Sequence, residues 1–133
     1  MKKSKVLLAV LIAVGVLSIS SFVGCNVNQW VHSYTENILV SLNNEDYISF
    51  SKDFDESLKA EIAQENFPEV LSATTGVFGK YIEGSKKMFS YNFSNGTTTV
   101  EYNCKFEKND KVQFRVVFEK INDVQKVVGI AIE

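Results

Sequence analysis

The sequence predicts an α+β domain in which N-terminal helices pack on a curved antiparallel meander of about four strands. Three observations predict it. Beyond an apolar leader, apolar residues recur at spacings of three and four, as one face of a helix requires. From Lys80 onward they alternate with a period of two, as a half-buried strand requires. Turn residues, Asn95 with Gly96 and later Asn122 with Asp123, separate the alternating runs. Helices first and strands afterwards, with the change near Gly79, place the helices on one face of the sheet, where each layer buries the other's apolar side.

In the helical half, Val27, Val31, Tyr34, Ile38 and Leu42 predict an amphipathic first helix, which Asn43 and Asn44 interrupt. Glu45 and Asp46 suit the first turn of a short second helix, since acidic groups are favoured at the positive helix end; Tyr47, Phe50 and Phe54 then face inward. Asp55 can cap a third helix, whose Leu58 and Ile62 lie one turn apart. Pro68, the only proline, suits the start of a fourth, where its missing N–H has no intrahelical acceptor to lose. Phe67, Val70, Leu71, Thr74, Val77 and Phe78 mark the buried face of that helix until Gly76 and Gly79 end it.

In the second half, Phe89, Tyr91 and Phe93 lie on one face of a first strand, with Met88, Ser90 and Asn92 on the other. Asn95 and Gly96 supply the left-handed dihedrals of a tight hairpin. The return strand sets Val100, Tyr102, Cys104 and Phe106 against Thr99, Glu101, Asn103 and Lys105. Lys108 to Lys111 makes the next turn, Val112, Phe114, Val116 and Phe118 form a third strand, Asn122 and Asp123 turn again, and Val128, Ile130 and Ile132 finish the chain.

The leader carries an address. Three lysines fall between Met1 and Lys5, and Val6 to Val23 then runs without a charge, the layout of a signal peptide. A retained membrane anchor is the alternative, because the run reaches the lower edge of a bilayer-spanning length. Gly15, Ser18, Ser20 and Ser21 weaken it as a span, and it closes on Phe22, Val23, Gly24 and Cys25. That tetrad resembles the lipobox of bacterial lipoproteins, although Phe22 replaces the usual leucine. The resemblance implies residues 1–24 as signal peptide, lipid (diacylglycerol and palmitate-type chains) on Cys25, and one extracytoplasmic domain over 25–133. The cell membrane's outer face is the implied location; cleavage that leaves Cys25 unmodified is the alternative. Burial of each methylene contributes about 0.8 kcal/mol, so two or more chains hold a protein stably at a membrane.

Removing the 24 residues before Cys25 from the 133 leaves 109, enough for one domain that buries roughly 65% of its unfolded surface. Lys2, Lys3 and Lys5 go with them, so the basic count falls from 14 to 11 against 16 acidic residues, a net charge of −5. Such a domain is a poor partner for nucleic acid, and Arg115 is its only arginine. The second cysteine, Cys104, lies in the apolar phase of a strand and reads as a small buried hydrophobe.

The stretch Tyr47 to Phe54 (YISFSKDF) and Gly79, Lys80, Tyr81 (GKY) ahead of the sheet resemble a family of uncharacterised extracytoplasmic domains, cystatin-like or nuclear-transport-factor-2-like in fold. Members of that family occur as lipoproteins or ahead of an alpha/beta-hydrolase. The resemblance carries no catalytic residues.

Reaction chemistry is sparse in the residues themselves. The only histidine, His32, shares a helix face with Asn28, Thr35 and Glu36 and reads as a solvated side chain. Glu45, Asp46, Asp53, Asp55 and Glu56 lack the glycine and closing glutamate of a calcium loop and read largely as helix caps. No G-x-S-x-G elbow accompanies the histidine, and Gly76, Gly79 and Gly84 form no phosphate loop. No cofactor or metal is expected. Trp30, Tyr34, Tyr47, Phe50, Tyr91 and Tyr102 supply aromatic surface with polar handles, which suits either a ligand pocket or an ordinary core. The leading expectation is a non-enzymatic binding or interaction module for a small apolar ligand or a protein partner, a second copy included. The alternatives are a small enzyme with a carboxylate base, for which Glu36 or Glu101 would need burial and a raised pKa, and an accessory subunit of a membrane assembly.

Overall fold

Five helices precede four strands in the computed structural model, which describes residues 29–133; the expected signal peptide over 1–24, the expected lipid site Cys25, Val27 and Asn28 lie outside the described residues. Helix α1 (Gln29–Asn44) buries Val31, Thr35, Ile38, Leu39 and Leu42, the three-and-four spacing of the sequence widened by Thr35 and Leu39. The Thr35 hydroxyl donates to the Val31 carbonyl at 2.8 Å, which removes the cost of burying it. Among the described residues no helix is long and apolar enough to cross a membrane.

The short helices follow their caps. The Asp46 carboxylate accepts from Ser49 N ahead of α2 (Tyr47–Ser51), and Asp55 accepts from Leu58 N ahead of α3 (Glu56–Glu61). A 3-10 turn over Gln64–Asn66 leads into α4 (Phe67–Ala73), with Pro68 in its first turn. The expected fourth helix is broken rather than continuous. Thr74 leaves helical geometry at φ −114°, ψ −87°, and α5 (Thr75–Phe78) starts afresh. The break takes Val77 off the buried face and leaves it 45% exposed, while Phe67, Val70 and Thr74 remain buried.

The strands β1 (Lys87–Ser94), β2 (Thr97–Phe106), β3 (Asn109–Ile121) and β4 (Val124–Ile132) form one antiparallel sheet in chain order, an α+β arrangement of helices and an open meander. Asn95 and Gly96, then Asn122 and Asp123, all have positive φ, the mirror-image turn geometry that matches strand twist. Val100, Tyr102, Cys104 and Phe106 of β2 and Val112, Phe114, Val116 and Phe118 of β3 are all buried, as their alternation predicts.

Bulges overturn the predicted phase at two places. Between Met88 and Ser90 the register slips, so Met88 joins the core beside Tyr91 while Phe89 and Phe93 are exposed. Val117 pairs with Gly129 but Phe118 with Val127, so the extra residue is Val128, and Val127 is the buried member. Alternation counted from Ile132 misses such an inserted residue, because one extra position flips every side chain before it.

Gly79 ends the helical half at φ 83°, ψ −168°, a region essentially restricted to glycine. A Cβ there would stand 2.7 Å from the Glu107 Cβ, whereas one on Gly84, also at positive φ, would meet nothing within 4 Å. Gly84→Ala is therefore expected to cost about 1–2 kcal/mol from backbone strain alone, and Gly79→Ala distinctly more. Urea unfolding of both variants checks this; equal losses would contradict the close approach.

Candidate functional site

The six aromatics singled out in the sequence lie in different parts of the core. Trp30 and Tyr34 are edge-on to each other and both meet the Phe118 ring, at 5.0 Å and 5.8 Å. Tyr47 and Phe50 converge on Phe67, at 5.4 Å and 4.9 Å, and the Tyr47 hydroxyl donates to the Ile62 carbonyl at 2.7 Å. Tyr102 lies under α1 beside His32, and Tyr91 packs against the core from β1. Each ring is thus occupied by neighbours rather than turned toward a shared cleft. A crevice lined by Ile38, Leu42, Phe50, Phe114 and Ile132 has a volume of about 10 Å³, at the limit of what one water needs. A second, on the outer sheet face between Glu101, Arg115 and Glu133, has about 30 Å³.

Polar side chains instead converge where α1 meets the segment before β1. That segment runs alongside the end of β2: Ile82 N donates to the Lys105 carbonyl, Glu107 N to the Lys80 carbonyl, and Tyr81 bridges Phe106. Two residues on α1, seven apart and so two turns along one face, hold it from above. Asn43 accepts from Tyr81 N at 2.8 Å and donates to the Tyr81 carbonyl at 2.9 Å, acting as a short piece of strand. Glu36 Oε1 accepts from the Tyr81 hydroxyl and from Lys86 Nζ, both at 2.8 Å, and Oε2 accepts from Gly84 N at 3.1 Å. The Lys86 side chain is only 12% exposed, and its ammonium stands 5.9 Å from the centre of the Tyr102 ring.

These contacts set the electrostatics. Burial by itself would raise the Glu36 pKa, but hydrogen bonds from Lys86 and Tyr81, the Lys86 charge and the Gly84 N–H together hold it below the ordinary carboxylate range. Burial raises the Tyr81 hydroxyl, and its bond to Glu36 raises it further. Tyr102 is pushed up to about 12, chiefly by burial. Burial also pushes the Cys104 thiol up to about 12, so this buried free cysteine stays protonated at neutral pH. His32 is lowered, first by burial and then by the Lys86 charge. Its Nδ1 is 3.2 Å from the Tyr102 hydroxyl, and a neutral ring with bare Nδ1 accepts that bond.

A carboxylate saturated with donors and held ionised is an anchor. As a proton acceptor it would need the opposite shift, a pKa raised toward neutrality. Glu101, the other carboxylate considered from the sequence, pairs with Arg115 at 3.1 Å on the partly solvated sheet face. No group of three His, Cys, Asp or Glu residues among the described residues could hold a metal ion. Sequence spacing put Glu36 and Thr35 on a solvated face with His32, but Thr35 belongs to the buried face of α1, and Glu36 is half-buried because the 80–86 segment folds over it. Asn43, Tyr81 and Lys86 gave little local signal: their partners are 38 to 50 residues away in the chain.

Removing the Glu36 charge leaves Lys86 buried without its partner. Glu36→Gln is expected to cost about 1–3 kcal/mol at neutral pH. The folded-state pKa is depressed, so the wild-type advantage is complete above the unfolded value near 4.5 and is lost as pH falls through the lower folded value. Urea midpoints of both proteins across this range should converge on acidification. A gap that stays constant would show that the charge contributes nothing.

A model of the family described as "Protein of unknown function (DUF3887)" matches residues 35–129. No curated protein and no solved structure matches the chain. The matched span takes in Glu36, Asn43, Tyr81 and Lys86, with their whole clamp, and the sheet as far as Gly129. It covers more than two thirds of the 133 residues, and the chain belongs to this family of proteins of unknown function.

Proposed function

We propose that the chain is a bacterial lipoprotein, tethered by lipid on Cys25 to the extracytoplasmic face of the cell membrane, and that its domain is a binding or interaction module without catalysis of its own. The observation that carries the reading is the uncharged run Val6–Val23 closing on Phe22, Val23, Gly24 and Cys25, behind three lysines. The domain's cystatin-like or nuclear-transport-factor-2-like character is part of the same reading, and the order of helices and open sheet is consistent with it. An interaction role is supported by the apolar side chains left on its surface, among them Phe93 at 63% exposure and Phe89 at 49% on one edge strand. Glu36, bound by three donors, supports a structural use for the one carboxylate enclosed under the segment.

Metabolic labelling with an alkyne fatty acid, followed by membrane fractionation, tests the anchor. Cys25→Ala should lose both the label and sedimentation with membranes. Cys104→Ala should keep both and lose about 1 kcal/mol of stability, a typical cost for a buried truncation. A Cys25→Ala protein that still labels and sediments like wild type would sink the lipoprotein reading and make Val6–Val23 the anchor.

The binding half has its own test, thermal-shift screening of the full chain purified from membranes against cell-wall fragments, small apolar metabolites and candidate proteins. A ligand at a hundred times its dissociation constant adds about 2.7 kcal/mol. Stabilisation by none of them counts against a ligand-binding role.

A further inference from the structure

Helix α1 runs from one end of the sheet toward the other, and its polarity decides which end follows the tether. Trp30, in the first turn of the helix, packs on Phe118 at 5.0 Å, and Phe118 pairs with Thr98 close to where β2 begins. Asn43, in the last turn, is bonded to Tyr81, which bridges Phe106 where β2 ends. Because neighbouring strands are antiparallel, the turns at Asn95 with Gly96 and at Asn122 with Asp123 both lie at the end where α1 begins. The turn between β2 and β3 lies at the far end, and the 16 residues of α1 span about 24 Å between them.

The end where α1 begins carries an exposed aromatic residue in an uncharged setting. Phe93 pairs with Thr98 on the turn side of the β1 bulge, so it lies on the helix-covered face of the sheet in the row of Thr98 and Phe118. Both of those are buried, whereas Phe93 is 63% exposed. Residues 93–98 carry no charge. Val124, also exposed, stands beside the second turn.

We propose that this end of the domain faces the membrane, with Phe93 and the β1–β2 tip seated in the lipid interface. The inference rests on the lipid-anchor reading and adds an orientation to it. Four residue steps separate Cys25, the lipid-bearing residue of that reading, from Gln29, where α1 begins. A chain reaches at most about 3.6 Å per residue, so the start of α1 stands within about 14 Å of the Cys25 backbone by any path. The tip that shares this end is therefore the part of the sheet held nearest to lipid. Its composition suits that surface, since an aromatic ring gains by leaving water and no charge within the tip has to be desolvated. Apolar exposure alone does not mark the surface: Ile82 is exposed too, but it lies at the far end, where its N–H donates to the Lys105 carbonyl.

An environment-sensitive fluorophore on Ser94→Cys, with Lys108→Cys as the far-end control, tests the orientation. The full-length chain is purified in its lipidated form and reconstituted into vesicles of phosphatidylcholine and phosphatidylglycerol. Cys104 is buried and an acylated Cys25 has no thiol, so the introduced cysteine takes the label. Lipids brominated in the upper acyl chain should quench the label at 94 several-fold more than the label at 108. Phe93→Ser should reduce quenching at 94 to the level at 108, with melting temperature and sedimentation with membranes unchanged, and Phe93→Leu should keep most of it. In lipidated protein, equal quenching at the two positions, or quenching at 94 that survives Phe93→Ser, overturns the orientation and leaves the anchor standing. A chain that carries no lipid on Cys25 overturns the anchor reading and this inference with it.

Discussion

A four-stranded open sheet cannot leave one whole face of apolar side chains to water, and here α1 provides much of the cover. Val31, Ile38, Leu39 and Leu42 lie over a sheet layer that includes Val100, Tyr102, Val116 and Phe118, all essentially inaccessible. Covering the sheet turns one flank of α1 toward the chain that enters β1. That side carries Glu36 and Asn43, and they bind the entering segment through its backbone, a tyrosine hydroxyl and a lysine. Helix, segment and sheet end are thereby held in one arrangement, and the shifted protonation equilibria of Glu36, Tyr81, Tyr102, Cys104 and His32 follow from it.

Much of this fold was readable from local pattern. The α1 stripe, the caps at Asp46 and Asp55, the hairpin at Asn95 and Gly96 and the inward phases of β2 and β3 each depend on residues a few positions apart. What was not readable depends on insertions or distance. A single bulged residue reversed the expected phase at Met88 and again at Val127, and the break at Thr74 divided one expected helix into two. The clamp is invisible in the sequence for a different reason. Glu36 and Lys86 are ordinary surface residue types, and only tertiary folding across 50 residues brings them to 2.8 Å.

The aromatic residues show the same division. Their abundance was plain, but composition does not tell a pocket from a packed interior, and the structure distributes them among ring contacts with Phe67, Phe118 and His32. Two phenylalanines, Phe89 and Phe93, remain exposed on the edge strand β1.

Glu36 and Lys86 act as a unit that joins α1 to the chain entering the sheet. A double-mutant cycle in urea unfolding with Glu36→Gln, Lys86→Met and both together measures that coupling directly. The double variant should be less damaged than the two single losses summed, by about 1–3 kcal/mol, because the second substitution removes a charge that the first left unpaired. Losses that add to within about 0.5 kcal/mol would show two independent residues and contradict it.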